Sequence, residues 1–284
     1  MEKNNLNGAL IINKDSNMTS RDVVNILCKK LNTKSIGHIG TLDPIATGVL
    51  VCLIGKYTKL SNILMEHDKD YITSFKLGLL TDTLDITGKV LKEEKIAIDK
   101  DKLELVLNSF KGCYEQEVPI YSAVKINGKK LYEYARENQI VELPIRKVSI
   151  YDIKLLNIEN DIITIKVSVS KGTYIRSLIR DIGLRLGTNA TMNSLKRIKL
   201  GKFKIEDACS IDDLNNNNFK ILSLEDLIDV KVVNLNNEDY FNVKNGQILD
   251  MKTNNFILFK YNDNNIALYQ KYNDNKIKPL IMFN

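Results

Sequence analysis

The sequence predicts an α+β fold, with helices packed on a mixed sheet and a small β-rich region at the C-terminal end. Ile163, Ile165, Val167 and Val169 alternate with Thr164, Lys166, Ser168 and Ser170, the period-two signature of a half-buried strand. Past Gly172 the period changes, and Ile175, Leu178, Ile179, Ile182 and Leu186 fall on one helical face. Strand-like and helical segments alternate irregularly, without the even repeat that builds a parallel sheet.

The elements follow in order. Ala9 to Ile12 reads as a short apolar strand. Thr19 and Asp22 fit a capping box, and Val23, Val24, Leu27 and Leu31 line the helix it opens. A glycine-bearing loop, Gly37 to Asp43, leads into the uninterrupted apolar run Val49 to Ile54, which reads as a buried strand. Lys56 to Leu64 predicts a helix and Tyr71 to Leu79 a strand, while Thr81 to Gly88 is turn chemistry. Asp99 to Phe110 is helical again, and Gly187 is placed to end the helix that begins at Ile175. A boundary falls near the Asn215–Asn218 run or at about Val230, dividing the chain into 1–230 and 231–284. Strands in the second part are expected at Phe256 to Phe259 and Ile266 to Tyr269.

Composition excludes several classes. The 284 residues are 44% hydrophobic and 27% charged, enough apolar surface for a sizeable core. The run Val49 to Ile54 is too short to span a bilayer, and the start Met1-Glu2-Lys3-Asn4-Asn5 does not resemble a leader. Four scattered cysteines without a Cys-x-x-Cys pair, and only two histidines, leave no disulfide framework or zinc site. A soluble protein of the reducing cytoplasm is expected.

The formal charge of +6 suits a polyanionic partner, and its placement matters more than its size. Ser170 to Lys204 holds nine basic residues and one acid, a net +8 that leaves −2 for the rest. A solvated helix face would mix signs, whereas this segment reads as a phosphate-binding surface. Pro119 to Lys147 interleaves Lys125, Lys129, Lys130, Arg136, Arg146 and Lys147 with Tyr121, Tyr132 and Tyr134. That pattern suits RNA stacking, but on composition alone an ordinary amphipathic hairpin is the stronger reading.

The densest cluster is the run Gly37-His38-Ile39-Gly40-Thr41-Leu42-Asp43-Pro44-Ile45-Ala46-Thr47-Gly48. It lacks the phosphate-cradling G-x-x-x-x-G-K-[ST] and G-x-G-x-x-G patterns. Asp43 is then either a turn or cap residue or a carboxylate nucleophile, which needs a cation to hold it. Arg176, beside the apolar stripe of its helix, is the obvious supplier. Tyr71 either presents a ring to a planar ligand or is a core tyrosine.

These residues resemble a known family. Gly37 to Leu50 is similar to the signature loop of the TruB family, the bacterial tRNA pseudouridine-55 synthases. Asp70-Tyr71, Leu77-Gly78 and Thr81 to Gly88 match its second block, and Pro119 to Arg136 its RNA-gripping insertion (119–147). Ser170 to Leu178 and Leu195-Lys196-Arg197 complete the set, so the resemblance runs from about Gly8 to about Leu227.

The resemblance implies a largely antiparallel mixed sheet of the pseudouridine synthase fold with a small PUA-like C-terminal domain. It implies that Asp43 is the nucleophile, at ribose C1′ or at the uracil ring, and that Arg176 pairs with it. Tyr71 would stack on the flipped uracil and take part in proton transfer. His38, Tyr174 and Leu195 match positions that contact the displaced nucleotide, and Asp85 a supporting aspartate near the site. Lys125, Lys129, Lys130, Lys171, Lys196 and Arg197 would contact RNA. No metal or cofactor is required, and the partner is the T arm of tRNA, bound by a monomer without an obligate protein partner. The family's Leu-Arg-Arg block is Leu-Lys-Arg here, which exchanges a guanidinium fork for an ammonium. Two competing readings are a tRNA-binding or folding module with vestigial catalysis and a synthase directed by a guide RNA.

Overall fold

A computed structural model describes residues 6–283, and all counts and absences below refer to these residues. The pentapeptide Met1 to Asn5 lies outside them. In chain order the strands are β1 (Gly8–Lys14), β2 (Ile36–Ile39), β3 (Thr47–Ile54), β4 (Lys69–Leu77), β5 (Leu79–Thr81) and β6 (Val90–Glu93). They continue as β7 (Gly112–Glu117), β8 (Lys125–Ile126), β9 (Lys129–Lys130), β10 (Ile145–Glu159), β11 (Ile162–Val169), β12 (Ala190–Leu200) and β13 (Phe203–Lys204). The last are β14 (Val230–Asn234), β15 (Leu249–Asp250), β16 (Phe256–Tyr261), β17 (Asn264–Lys271) and β18 (Lys276–Met282). The helices are α1 (Ser20–Lys30), α2 (Ser61–Met65), α3 (Lys100–Ser109), α4 (Leu131–Arg136), α5 (Ile175–Leu186), α6 (Ile211–Asn215), α7 (Leu224–Leu227) and α8 (Asn237–Lys244).

The main sheet runs β1-β3-β12-β4-β11-β10-β7, with β2 on β3 and β13 on β12. Only β3 and β12 run parallel in it; every other pair is antiparallel. One face is covered by α1, α3 and α5 through Val23, Val24, Leu27, Leu103, Leu107, Leu178, Ile179 and Ile182. The opposite side of β1 and β3 packs on Tyr57, Leu60 and Leu64 and on Leu258, Leu268 and Ile281 of the second sheet. Burial on both faces is why Val49 to Ile54 is apolar without alternation. The second sheet, β14-β16-β17-β18-β15, also has a core of its own around Val243, Ile257, Phe259 and Tyr269.

Local signals explain the ends of the helices. Thr19 and Asp22 form the reciprocal capping box at the start of α1. Gly187 closes α5 with φ +84°, a left-handed conformation that costs glycine nothing. Three expectations change. The stretch from Lys56 begins as a 3-10 turn, Gly55–Leu60, before α2. Gly37 and His38 belong to strand β2 rather than to a loop, because Ile36 and Ile39 are buried against the edge of β3. Finally β7, β10 and β12 are strands that the sequence pattern does not display. No helix is long and apolar enough to cross a membrane.

Candidate active site

The loop between β2 and β3 is held from several sides. Asp43 to Ala46 is a turn closed by the Ala46 N–H donating to the Asp43 carbonyl (3.0 Å), with Pro44 at the second position. Ser20, at the start of α1, accepts from the Leu42 N–H (2.9 Å) and donates to its carbonyl (3.2 Å). The Pro44 carbonyl accepts from the Asn17 N–H (2.9 Å) and from Nζ of buried Lys14 (3.3 Å). The two readings of Asp43 are therefore compatible: its backbone makes the turn while its carboxylate does something else.

That carboxylate faces Arg176, in the first turn of α5. Nε lies 3.0 Å from Oδ2, and Nη2 donates to Oδ1 at 3.2 Å, a bidentate pair. The Arg176 side chain is 7% exposed and that of Asp43 35%, so the cation is inside and the carboxylate open. Nη1 donates to the Thr83 carbonyl (3.0 Å) and Nη2 to the Tyr121 carbonyl (3.0 Å), fixing the guanidinium plane. Gln116, buried on β7, aligns the start of α5. Its Oε1 accepts from the Tyr174 N–H (2.8 Å) and its Nε2 donates to the Tyr174 carbonyl (3.1 Å).

Above this pair opens a cleft of about 490 Å³. Tyr71 from β4, Tyr174 at the N-cap of α5, Arg176 from α5, Leu195 from β12 and Tyr121, Ser122 and Tyr132 from the insertion line it together with Asp43. Lys69 also lines it, its ammonium pKa pushed down to about 8 by burial and by the nearby Arg197 cation. The structure thus brings Asp43, Tyr71, Tyr174, Arg176 and Leu195 together.

Other predicted residues fall elsewhere. His38 sits on β2 outside the lining, with its pKa lowered by burial and its Nδ1 buried without a partner. The Asp85 carboxylate is used within its own turn, accepting from Thr83 Oγ1 (2.9 Å) and from the Thr87 N–H (3.0 Å) and Oγ1 (2.5 Å). It is buried and does not line the cleft, and it supports the turn carrying the Thr83 carbonyl. Arg197 corrects the reading more sharply. It is 1% exposed and donates to the carbonyls of Val49 (2.7 Å) and Gly40 (2.8 Å) beneath the loop, so although it also lines the cleft, its guanidinium is spent on backbone.

The +8 segment divides in the same way. Arg180 pairs with Glu117 (2.7 Å) and Asp181 (2.8 Å), Arg185 lies 3.8 Å over the Phe110 ring, and Lys171 pairs with Glu66. Lys196 is exposed, so the Leu-Lys-Arg departure falls on the solvent-facing position. Lys199, Lys202 and Lys204 line a second cleft of about 810 Å³, with Asn254 and Asn255. In the insertion Asn127 (φ +52°) and Gly128 (φ +83°) make the two-residue turn between β8 and β9. Lys125 is exposed, Lys129 pairs with Glu137 and lies 4.7 Å from the Tyr134 ring centre, and Lys130 donates to the Tyr132 hydroxyl (3.1 Å).

Sequence reasoning missed Ser20, Lys14 and Gln116, whose contribution is to hold backbone. It also missed Lys69, whose only signal was its place between two aspartates just before Tyr71.

The family described as "TruB family pseudouridylate synthase (N terminal domain)" matches residues 28–175, and "tRNA pseudouridylate synthase B C-terminal domain" matches 176–236. A Mesoplasma florum protein named tRNA pseudouridine synthase B is 42% identical over 96% of this chain and 97% of its own length. A Borreliella burgdorferi protein of the same name is 36% identical over 98% and 99%. Among solved structures, a Cbf5-Nop10-Gar1 complex aligns with a TM-score of 0.69 at 24% identity, over 98% of this chain and 85% of that one, and shares the fold. By family model, by identity and by coverage, the chain belongs to the TruB family of pseudouridylate synthases.

Proposed function

We propose that this chain converts uridine 55 in the T arm of tRNA to pseudouridine, with Asp43 as the nucleophile. The observation that carries the reading is the bidentate Asp43–Arg176 pair, cation buried and carboxylate open, on the wall of a nucleotide-scale cleft.

The reaction breaks the N1–C1′ bond of uridine and forms a C5–C1′ bond; the proton at C5 leaves and N1 ends protonated. It needs no net oxidant, reductant or energy input, so an oriented carboxylate and a pocket that retains the free base suffice. The target base leaves its stack to reach Asp43, at a cost of a few kcal/mol. Tyr71 stacks on the flipped base and handles the C5 proton, while Tyr174 and Leu195 wall the pocket. Asp43 attacks either C1′ or the ring. Lys125, Lys129, Lys130, Lys171 and Lys196, with the lysines of the second cleft, offset the flipping cost through phosphate contacts. The enzyme works as a cytoplasmic monomer, without cofactor or guide RNA.

The test is to incubate purified protein with unmodified tRNA transcript and map pseudouridine by position. Modification at position 55 alone is expected, and Asp43→Asn should abolish it while RNA affinity stays within about threefold. Full activity in Asp43→Asn would sink the assignment.

A further inference from the structure

We infer that Arg197 is a positioning residue for Asp43, a strut inside the active-site loop and not a contact to RNA. The inference rests on the reading of Asp43 as the nucleophile.

The guanidinium bridges the two ends of the segment that carries Asp43. Nη2 donates to the Gly40 carbonyl, three residues before Asp43, and Nε to the Val49 carbonyl, six residues after it. No carboxylate pairs with this cation among the described residues. A buried guanidinium is costly to desolvate, and here backbone carbonyls supply the compensation. A charge kept at that cost and aimed at two loop carbonyls sets a loop geometry.

The loop is also shaped to fit Arg197. At Gly40 (φ +67°) a Cβ would lie 3.2 Å from Nη1, and at Gly48 (φ +98°) it would lie 2.2 Å from the Arg197 carbonyl oxygen. The parallel rungs between β3 and β12 pair Lys196 with Thr47 and Arg197 with Gly48, so backbone and side chain of Arg197 both grip this segment. Strand alternation then separates the neighbouring cations, Lys196 outward and Arg197 inward. A lysine at 197 could reach one carbonyl but could not span both as the planar fork does.

The test is single-turnover kinetics with a T-arm stem-loop for Arg197→Lys and for Gly40→Ala, which keeps the charge and crowds Nη1. Wild-type activity and the loss of activity in Asp43→Asn are checked first. Activity persisting in Asp43→Asn removes the reading on which the strut rests, whatever Arg197 does. With that control in place, both variants should fold, judged by near-UV circular dichroism. They should bind RNA within about twofold with an unchanged salt dependence, and lose about 100-fold in the rate at saturating RNA, the scale of a small misplacement of a reacting group. A saturating rate within twofold of wild type overturns the proposal. A loss confined to affinity, with a shallower salt dependence, makes Arg197 an RNA contact and also overturns it. Failure of both variants to fold reduces Arg197 to a folding determinant, which overturns it as well.

Discussion

Arg176 and Lys129 are both cations that the sequence singles out, and the fold treats them in opposite ways. Arg176 is buried, bidentate to Asp43 and locked by the carbonyls of Thr83 and Tyr121. Lys129 lies in an insertion whose contacts, to Glu137, Gln139 and the Tyr134 ring, are among surface side chains. On the proposed function, one cation sets the position of the reacting group and the other adds charge to a face. Rate should therefore depend on the first region and affinity on the second.

The largest expected effect is on rate. Arg176→Lys keeps the charge but loses the fork on Asp43, and a fall of about 10³-fold in the saturating rate is expected, with RNA affinity within threefold. An equal loss in affinity would place Arg176 with the surface lysines.

The next is the joint Lys125→Ala, Lys129→Ala, Lys130→Ala variant. It should weaken T-arm RNA binding by about 10- to 30-fold near 0.1 M salt and flatten the salt dependence by up to about three ions, at an unchanged saturating rate. A flat salt dependence in the wild type would contradict the role of this face.

Gln116→Leu sharpens the comparison, because it removes no charge and no cleft residue. It strips the Tyr174 N–H of its acceptor, so a loss of about 1–3 kcal/mol in unfolding free energy is expected together with about a tenfold slower saturating rate. Lower stability at full rate would make Gln116 a packing residue only.

The smallest effect concerns pH. Burial lowers the pKa of Lys14 and of Lys69 from 10.5 to about 8. Above pH 8 the folded chain gives up these protons before the unfolded chain does, so stability rises with pH, by at most about 1.4 kcal/mol per proton per unit. Cys52 opposes this above pH 9, because burial raises its thiol to about 12 and the unfolded thiol ionises first. Tyr57, Tyr114 and Tyr269, also raised by burial, oppose it further as pH nears 10. Chemical denaturation from pH 7.5 to 10 should show a rise that slows above 9, and Lys69→Met should reduce the rise. A monotonic fall would contradict the burial of these two ammonium groups.

The sequence displayed its two clearest elements through unbroken periods, in β11 and α5. It hid β10 and β12 because bulges interrupt the alternation between Ile150 and Asp152, Leu155 and Asn157, Met192 and Ser194, and Arg197 and Lys199. A bulged strand rich in lysine reads as a basic run, and that pattern does not show that Lys196 turns outward and Arg197 inward. Asp43 and Arg176 were legible because a Gly/Pro loop and a cation on the edge of an apolar stripe are local patterns. Gln116, Ser20 and Lys14 act on backbone that only the fold brings to them, and no spacing announces that.

The most direct measurement is the single-turnover rate against tRNA concentration for Arg176→Lys beside the triple lysine variant. The plateau should fall for Arg176→Lys with its midpoint unmoved, and the midpoint should shift for the lysine variant with its plateau unmoved. A plateau loss in both, or a midpoint shift in both, would contradict the division of the molecule into a rigid reacting centre and a charged binding face.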